Sequence, residues 1–244
     1  MQHQPYLHLV PGSDTALLLI HGILGTPNHF ANFLPLVDPH WSVYNLLLDG
    51  HGNGVREFSR TSMKKWRLQV QEAVALLAKD HQKILIAGHS LGCLLAIEQA
   101  LACSKIAGLF LLAPPLRLRI RARLIATSTK VYLGRIRPDD PESLAAQRLC
   151  GVRQEWQFWR YLGWIPRFLE LFDRIQITRS FVPKLHVPCH VVHSRRDEMV
   201  SSKGLSLFPP TAKIFFLASS THFYYPPADE ALLLQLFQEF CLQL

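Results

Sequence analysis

Short apolar runs, separated by longer segments with helical periodicity, extend along most of the chain. We predict β-strands at 6–10, 16–20, 41–48, 83–87, 106–112, 187–193 and 213–217. We predict helices at 28–37, at 62–80 and from 91 to about 102. The apolar positions of the second helix share one face, at Trp66, Val70, Val74 and Leu77, and Ser62 is its expected N-cap. Single helices between consecutive strands predict an α/β fold with a mostly parallel sheet and helices on both faces.

The segment Gly88-His89-Ser90-Leu91-Gly92 lies between a predicted buried strand and a predicted helix. A serine with glycines two positions before and after it, on such a turn, has the pattern of a nucleophile elbow. The turn holds the serine in strained backbone, and larger residues at the glycine positions would clash. We therefore expect the hydroxyl of Ser90 to project above the sheet edge, where a substrate carbonyl can reach it.

Two further residues follow strands in the order nucleophile, acid, histidine that this type of site uses. Asp197 comes just after the predicted strand 187–193, and His222 follows the strand 213–217 by a few residues. Ligands of parallel α/β sheets bind beyond the carboxyl ends of the strands, so both side chains are expected to meet Ser90 in one crevice.

Three other carboxylates are alternatives for the acid. Asp49 also follows a strand, but it precedes the nucleophile and is better explained as a residue that fixes its own loop. Glu198 is adjacent to Asp197, and Asp173 lies in the middle of the chain; both remain open as less favoured alternatives.

A glycine-containing loop after the strand 16–20 is expected to complete an oxyanion hole. Such a site needs backbone N–H groups aimed at the developing negative charge, and the residue after the nucleophile, Leu91, supplies one. Ile23, which follows His21-Gly22, is the predicted second donor. We expect His21 and His89 to shape this loop and the elbow rather than to transfer protons.

These motifs, together with Asp49-Gly50-His51-Gly52-Asn53-Gly54, resemble those of the α/β-hydrolases, and among them the small carboxylesterases and monoacylglycerol-lipase-like enzymes. The resemblance covers nearly the whole chain outside a central insertion. It implies Ser90 as nucleophile, His222 as base, Asp197 as the residue that orients it, and Ile23 and Leu91 as oxyanion donors. One departure is Val55 after Gly-Asn-Gly, where many relatives carry Ser or Thr; this loop shapes the pocket rim, so the departure bears on specificity.

The expected reaction is the hydrolysis of a small-molecule carboxylic ester through an acyl-enzyme, without metal or organic cofactor. Short-to-medium acyl or monoacylglycerol-like esters are the expected substrates. The same fold and triad also serve thioesterases, carbon–carbon bond hydrolases and acyltransferases, which remain alternatives. A non-catalytic ligand-binding protein is a further alternative, against which the complete set of motifs argues.

The regular alternation stops at Pro114-Pro115 and resumes near 184. We predict one α/β-hydrolase domain over 1–244, with a core of about 1–115 and 184–244 and a small helical cap at about 116–183. The cap contains the densest aromatic cluster of the chain, at Trp156, Phe158, Trp159, Tyr161, Trp164, Phe168 and Phe172. The favoured interpretation is that these side chains anchor the cap to the core; the alternative is that some line an acyl or aryl pocket. The pocket candidates are His21, Gly22, Leu24, His89, Trp156, Trp159 and Trp164.

The formal net charge of +8 is concentrated in part of the cap, where seven Lys or Arg residues between 117 and 137 precede any acidic residue. The alternation at 116–123 does not suit a helix, so an extended or irregular start is expected. A solvated face is the favoured interpretation of this run. Steering of anionic substrates or transient contact with anionic lipid are the alternatives, and nothing accompanies the charge that would indicate nucleic-acid binding.

Length and composition fit a cytoplasmic enzyme. The 244 residues, 49% of them hydrophobic, suffice for one buried core. No apolar run of about 18 residues predicts a membrane span, and the first residues lack a secretory pattern. The five cysteines are scattered, without metal-ligand spacing, and are interpreted as reduced core residues. No oligomeric state is predicted.

Overall fold

The structure is a computed structural model that describes residues 3–243. Its seven-stranded sheet has the order β1-β3-β2-β4-β5-β6-β7, in which β1 is antiparallel to β3 and all other neighbours are parallel. The strands are β1 (Tyr6–His8), β2 (Thr15–Ile20), β3 (Ser42–Leu46), β4 (Lys83–His89), β5 (Ile106–Leu112), β6 (Cys189–Ser194) and β7 (Lys213–Leu217). All seven predicted strands are present, and the predicted α/β fold class is confirmed.

Seven α-helices accompany the sheet within the described residues: α1 (Val55–Arg60), α2 (Met63–Asp80), α3 (Leu91–Ala102), α4 (Ala122–Tyr132), α5 (Pro141–Leu149), α6 (Ile165–Phe181) and α7 (Pro227–Leu242). The predicted N-cap is confirmed, because the Ser62 hydroxyl accepts a hydrogen bond from the Lys65 N–H at 3.2 Å. None of these helices is long and apolar enough to cross a bilayer.

The predicted helix at 28–37 is wrong. Two short 3₁₀ turns, Pro27–Phe30 and Leu34–Leu36, replace it. Pro35 is the physical reason, because proline has no N–H to donate to the carbonyl one turn earlier and its ring clashes with that carbonyl. The structure also contains a short helix, α1, that the sequence pattern does not predict.

Both faces of the sheet are buried, as the alternation along β5 shows. Leu109 and Leu111 belong to the core on the side of α2 and α3. Phe110 and Leu112 point to the other side, where they pack with residues of α7 such as Phe237. Because both faces of the sheet are covered, polar side chains that form a site lie beyond the ends of the strands.

The insertion between β5 and β6 carries α4, α5, a 3₁₀ helix (Phe158–Trp164) and α6. Its first residues are extended, as predicted: the N–H groups of Arg119 and Arg121 donate to the carbonyls of Met199 and Glu198. The insertion is tied to the core through α6, where Arg174 contacts Glu98 of α3 at 3.2 Å.

The expectation that the aromatic cluster anchors the insertion holds for only part of it. Tyr161, Trp164 and Phe168 are partly buried and pack against the core. The remaining members are exposed, at Trp156, Phe158, Trp159 and Phe172. For these four the anchoring interpretation is wrong, because their side chains face solvent. Only the three partly buried residues hold this segment against the core.

Candidate active site

Ser90 occupies the sharp turn between β4 and α3, with φ +51° and ψ −115°. A positive φ is unfavourable for a residue with a side chain, so the surrounding packing must enforce it. The two flanking glycines are required by close contacts. A Cβ on Gly88 would lie 2.7 Å from the carbonyl carbon of Gly92, and a Cβ on Gly92 would lie 2.0 Å from the carbonyl oxygen of Ile20.

Asp197 and His222 are in direct contact. The Nδ1 of His222 lies 2.8 Å from Oδ2 of Asp197, and both side chains are almost completely buried. The second carboxylate oxygen, Oδ1, accepts the N–H groups of Met199 at 2.8 Å and Val200 at 2.7 Å. With Nδ1 engaged by the carboxylate, the imidazole keeps Nε2 for a different partner.

The electrostatics of this pair stabilise the imidazolium that forms when His222 accepts a proton. Burial opposes the charged form of both groups, but their mutual attraction and the hydrogen bond between them outweigh it. The pKa of Asp197 therefore lies below its usual range, and the pKa of His222 lies above it.

His89, the residue before the serine, links the elbow to the histidine loop. Its Nε2 lies 3.2 Å from the carbonyl oxygen of His222, so this nitrogen carries the proton and donates it. The rings of His89 and His222 have centroids 4.8 Å apart, and His29 stacks on the other side of His89 at 3.8 Å. Burial lowers the pKa of His29 to about 3 and holds the pKa of His89 well below its ordinary value, so both rings are neutral.

The loop after β2 lies directly against the serine, because a Cβ on Gly22 would be 3.0 Å from the Cβ of Ser90. The loop is a tight turn in which the Gly25 N–H donates to the Gly22 carbonyl at 2.9 Å, with Leu24 at φ +55°. The donor of that bond is the N–H of Gly25, so the bond does not engage the N–H of Ile23. Leu91 begins α3, and the N–H groups of the first helical turn have no carbonyl partner within the helix. Both predicted oxyanion donors are therefore on segments that meet at Ser90.

His21 fixes this loop through two contacts with the backbone. Its Nδ1 lies 2.8 Å from the Gly22 carbonyl oxygen, and its Nε2 accepts the Leu48 N–H at 3.1 Å. Burial, together with nearby His51, holds the pKa of His21 well below the ordinary value. A neutral imidazole with both nitrogens engaged in backbone contacts serves as a support.

A cavity of about 290 Å³ lies between the insertion and the core. Leu24, Thr221 and Phe223 line it on the core side, so it borders both the oxyanion loop and His222. Its walls are completed by α4, α5 and the 3₁₀ helix, including Trp164. Of the seven predicted pocket residues, Leu24 and Trp164 line this cavity, whereas His21, Gly22 and His89 form the support described above.

Trp156 and Trp159 do not line the cavity, in contrast to the expectation. Their side chains are 76% and 57% exposed. Trp156 instead contacts Tyr132, whose ring lies 6.3 Å from it and does line the cavity. The density of aromatic residues identified the segment, but density alone does not say which side chains point inwards.

None of the three alternative acids is bound to the ring of His222. Asp49 is half-exposed and forms an ion pair with Lys65 at 3.2 Å, and its backbone carbonyl accepts the indole N–H of Trp66, so it fixes its loop. Asp173 is exposed on α6. Glu198 does reach the site, but through the backbone: its Oε2 accepts the N–H of His222 at 3.2 Å.

Sequence reasoning missed two contacts that shape the site. His29 stacks on His89, and the guanidinium of Arg119 donates to the carbonyl of Asp197 at 3.2 Å. Both join residues far apart in the chain, so no local pattern could have found them. Within residues 3–243 no group of three or more His, Cys, Asp or Glu side chains is arranged to hold a metal ion.

The chain belongs to the α/β hydrolase family, whose sequence profile matches residues 17–233. This confirms the resemblance identified from the motifs. A search of curated proteins finds no match.

Solved structures with the same fold include three with related descriptions. One of a pair of metagenome-derived lipolytic enzymes is 18% identical, with a TM-score of 0.75 over 100% of this chain and 98% of the other. The monoacylglycerol lipase of Paleococcus ferrophilus is 19% identical, with a TM-score of 0.70 over 100% and 99%. Est1E of Butyrivibrio proteoclasticus, solved with ferulic acid, is 19% identical, with a TM-score of 0.66 over 98% and 94%. At these identities the likeness concerns the fold.

Proposed function

We propose that this protein is a carboxylic ester hydrolase that works through an acyl-enzyme on Ser90. The observation that carries the proposal is the 2.8 Å contact of His222 with Asp197. The backbone of His222 also binds His89, the residue before a serine held at positive φ. The structural relatives described as lipolytic enzymes and as a monoacylglycerol lipase support the same class of reaction.

In the proposed reaction, Nε2 of His222 removes the proton of the Ser90 hydroxyl as its oxygen attacks the ester carbonyl. Asp197 holds the ring orientation and stabilises the imidazolium that forms. The N–H groups of Ile23 and Leu91 hold the oxyanion, and loss of one such donor typically costs about 2.7–4 kcal/mol of transition-state stabilisation. His222 then returns the proton to the departing alcohol, and a water molecule, activated by the same nitrogen, cleaves the acyl-enzyme.

We propose that the core (about 1–115 and 184–244) supplies the reacting groups and that the insertion (about 116–183) acts as a cap that supplies most of the acyl pocket. A volume of about 290 Å³ is at the lower end of the roughly 300–1,000 Å³ typical of ligand pockets. This size favours short-to-medium acyl chains or a monoacylglycerol with such a chain. The mostly apolar wall suits an alkyl or aryl group better than a charged one.

We also propose a cytoplasmic location. The five cysteines form no disulfide in the structure, which suits a reducing compartment. Fractionation of cells that express the tagged protein tests this, and recovery from the periplasm or culture medium would contradict it.

The direct test is hydrolysis of p-nitrophenyl esters with acyl chains from two to sixteen carbons. Ser90→Ala should lose activity by at least about 10³-fold, and Ser202→Ala, at an exposed position, is the matched control. Fluorophosphonate should label the wild type and the control but not Ser90→Ala. Labelling without turnover of any oxygen ester would move the assignment to a thioester, a carbon–carbon bond or acyl transfer. Absence of both would indicate a protein that only binds ligand.

A further inference from the structure

The insertion carries almost all of the net charge of the protein. Residues 116–183 contain 13 of the 26 Lys and Arg residues but only six of the 18 Asp and Glu residues. The net charge of this segment is therefore +7, out of +8 for the whole chain. The rest of the chain is nearly neutral, so the positive potential lies on one part of the molecule.

The few acidic residues of the insertion are already used by internal ion pairs. Five of the six are paired, as Asp139 with Arg137, Asp140 with Lys130, Glu142 with Arg123, Glu155 with Arg160 and Glu170 with Arg167. Six exposed arginines have no carboxylate partner among residues 3–243: Arg117, Arg121, Arg135, Arg148, Arg153 and Arg179. In the described part of the chain, no carboxylate neutralises these guanidinium groups, and Arg179 alone among them donates a hydrogen bond to a neighbouring side chain, Oε1 of Gln176 at 3.2 Å.

The same insertion exposes large apolar side chains at helical spacing. We define the aromatic face as Trp156, Phe158, Trp159, Leu162, Ile165, Leu169 and Phe172, all of them exposed. Phe158 is 73% and Leu162 is 65% exposed. From Leu162 onwards the members recur every three or four residues through the 3₁₀ helix and α6, so they share one side. Large apolar side chains that are exposed together on one segment of a folded protein mark an interaction site.

Part of the aromatic face lies on the 3₁₀ helix Phe158–Trp164, other residues of which line the cavity. Tyr161 and Trp164, on the same 3₁₀ helix, line the cavity. Trp156 contacts Tyr132, which also lines it. Two of the unpaired arginines, Arg153 and Arg179, flank the aromatic face in the sequence.

We propose that the aromatic face and the unpaired arginines form a docking surface for an anionic phospholipid bilayer. Exposed Trp, Phe and Leu side chains can enter the boundary between headgroups and acyl chains, while the guanidinium groups bind the lipid phosphates. A second copy of the chain suits the surface less well, because it would bring two segments of charge +7 together. The docking is independent of the proposed ester hydrolysis.

The test is sedimentation of the full-length Ser90→Ala protein with phosphatidylcholine vesicles, with and without phosphatidylglycerol. We expect binding to the anionic vesicles to be at least about tenfold tighter, to weaken with added salt, and to shift tryptophan emission to shorter wavelength. The catalytic serine is removed so that the measurement does not depend on turnover.

Two pairs of matched variants separate the contributions. Phe158→Ser with Leu162→Ser should weaken binding at least about tenfold, whereas Leu68→Ser with Leu76→Ser, at exposed positions of α2, should not change it. Arg153→Gln with Arg179→Gln should have a similar effect on anionic vesicles only. Lys64→Gln with Lys79→Gln removes the same charge from exposed positions of α2 and should have less effect. Circular dichroism and thermal melts confirm that each variant is folded.

Failure to bind anionic vesicles would overturn the proposal, as would equal loss of binding in the α2 controls. Gel filtration of the same proteins tests the alternative occupant. A dimer that Phe158→Ser with Leu162→Ser dissociates, without vesicle binding by the wild type, would assign the face to a second copy.

Discussion

Glu198 accepts the backbone N–H of His222 at 3.2 Å, while the adjacent Asp197 holds the ring of the same histidine at 2.8 Å. Two consecutive acidic residues thus hold His222 from the backbone and from the side chain. Glu198 also lines the cavity, so it borders both the proposed base and the proposed acyl pocket. Its negative charge contributes, after Asp197, to raising the pKa of His222.

Glu198→Gln should move the acid limb of the pH profile to lower pH. The amide oxygen can still accept the His222 N–H, but the negative charge is gone, so the pKa of His222 falls and the neutral base persists to lower pH. The measurement is kcat/KM against pH, with Glu72→Gln, an exposed acid on α2, as control. If Glu198 had only a structural role, Glu198→Gln would reduce stability and leave the acid limb of the pH profile unchanged. That result would contradict this interpretation.

Asp197→Asn should preserve the fold but reduce kcat by about 10⁴-fold, the size seen when this change is made in serine proteases. The amide cannot stabilise the imidazolium, and its NH₂ group favours the wrong tautomer of His222. Steady-state kinetics with the best p-nitrophenyl ester measures the effect. Activity within tenfold of the wild type would show that Asp197 is not the orienting acid and would favour Glu198 in that role.

Ala146→Phe should shorten the range of accepted acyl chains. Ala146 lines the cavity from α5, and a phenyl ring there would occupy part of about 290 Å³. Each methylene that no longer fits is worth about 1–3 kcal/mol of discrimination, so esters longer than about four carbons should lose at least tenfold in kcat/KM. The kcat/KM for p-nitrophenyl acetate should not change.

Leu144→Phe is the control for that variant, since Leu144 is exposed on the same helix and outside the cavity lining. An unchanged chain-length profile in Ala146→Phe would place the acyl group somewhere other than this cavity.

His29→Phe should make the stability of the protein less sensitive to acid. Burial lowers the pKa of His29 to about 3 in the folded state, against 6.5 when exposed. Between these values the unfolded chain binds a proton that the folded protein refuses, so unfolding becomes easier as the pH falls, by about 1.4 kcal/mol per pH unit. Phenylalanine keeps the stack on His89 and removes this contribution.

The measurement is the free energy of unfolding in urea at several pH values between 4 and 7. His222 contributes with the opposite sign, because its raised pKa stabilises the fold below pH 6.5 and this contribution is lost as the pH rises through the folded pKa. It is common to both proteins, so the difference in slope reports His29. Equal slopes would show that His29 takes up a proton while folded. His40→Phe, at an exposed position, is the control.

The sequence by itself determined the elements that depend on local pattern. Buried strands are continuous apolar runs, and the glycines around Ser90 are required by contacts that any elbow of this type makes, so both were visible without coordinates. The shared edge of parallel strands then placed Asp197 and His222 near the serine, and in the structure these two are in contact.

Only the tertiary structure showed what residues with similar positions in the sequence contact. Asp197 and Glu198 are neighbours, and which one meets the ring of His222 depends on how their loop lies on the rest of the protein, with the carbonyl of Asp197 bound by Arg119 and that of Glu198 by the N–H of Arg121. Tyr161 and Trp159 share one short helix, yet one lines the cavity and the other faces solvent. The stack of His29 on His89 joins residues 60 positions apart. Periodicity gives the spacing of a face but not its direction, because direction is fixed by what the chain packs against.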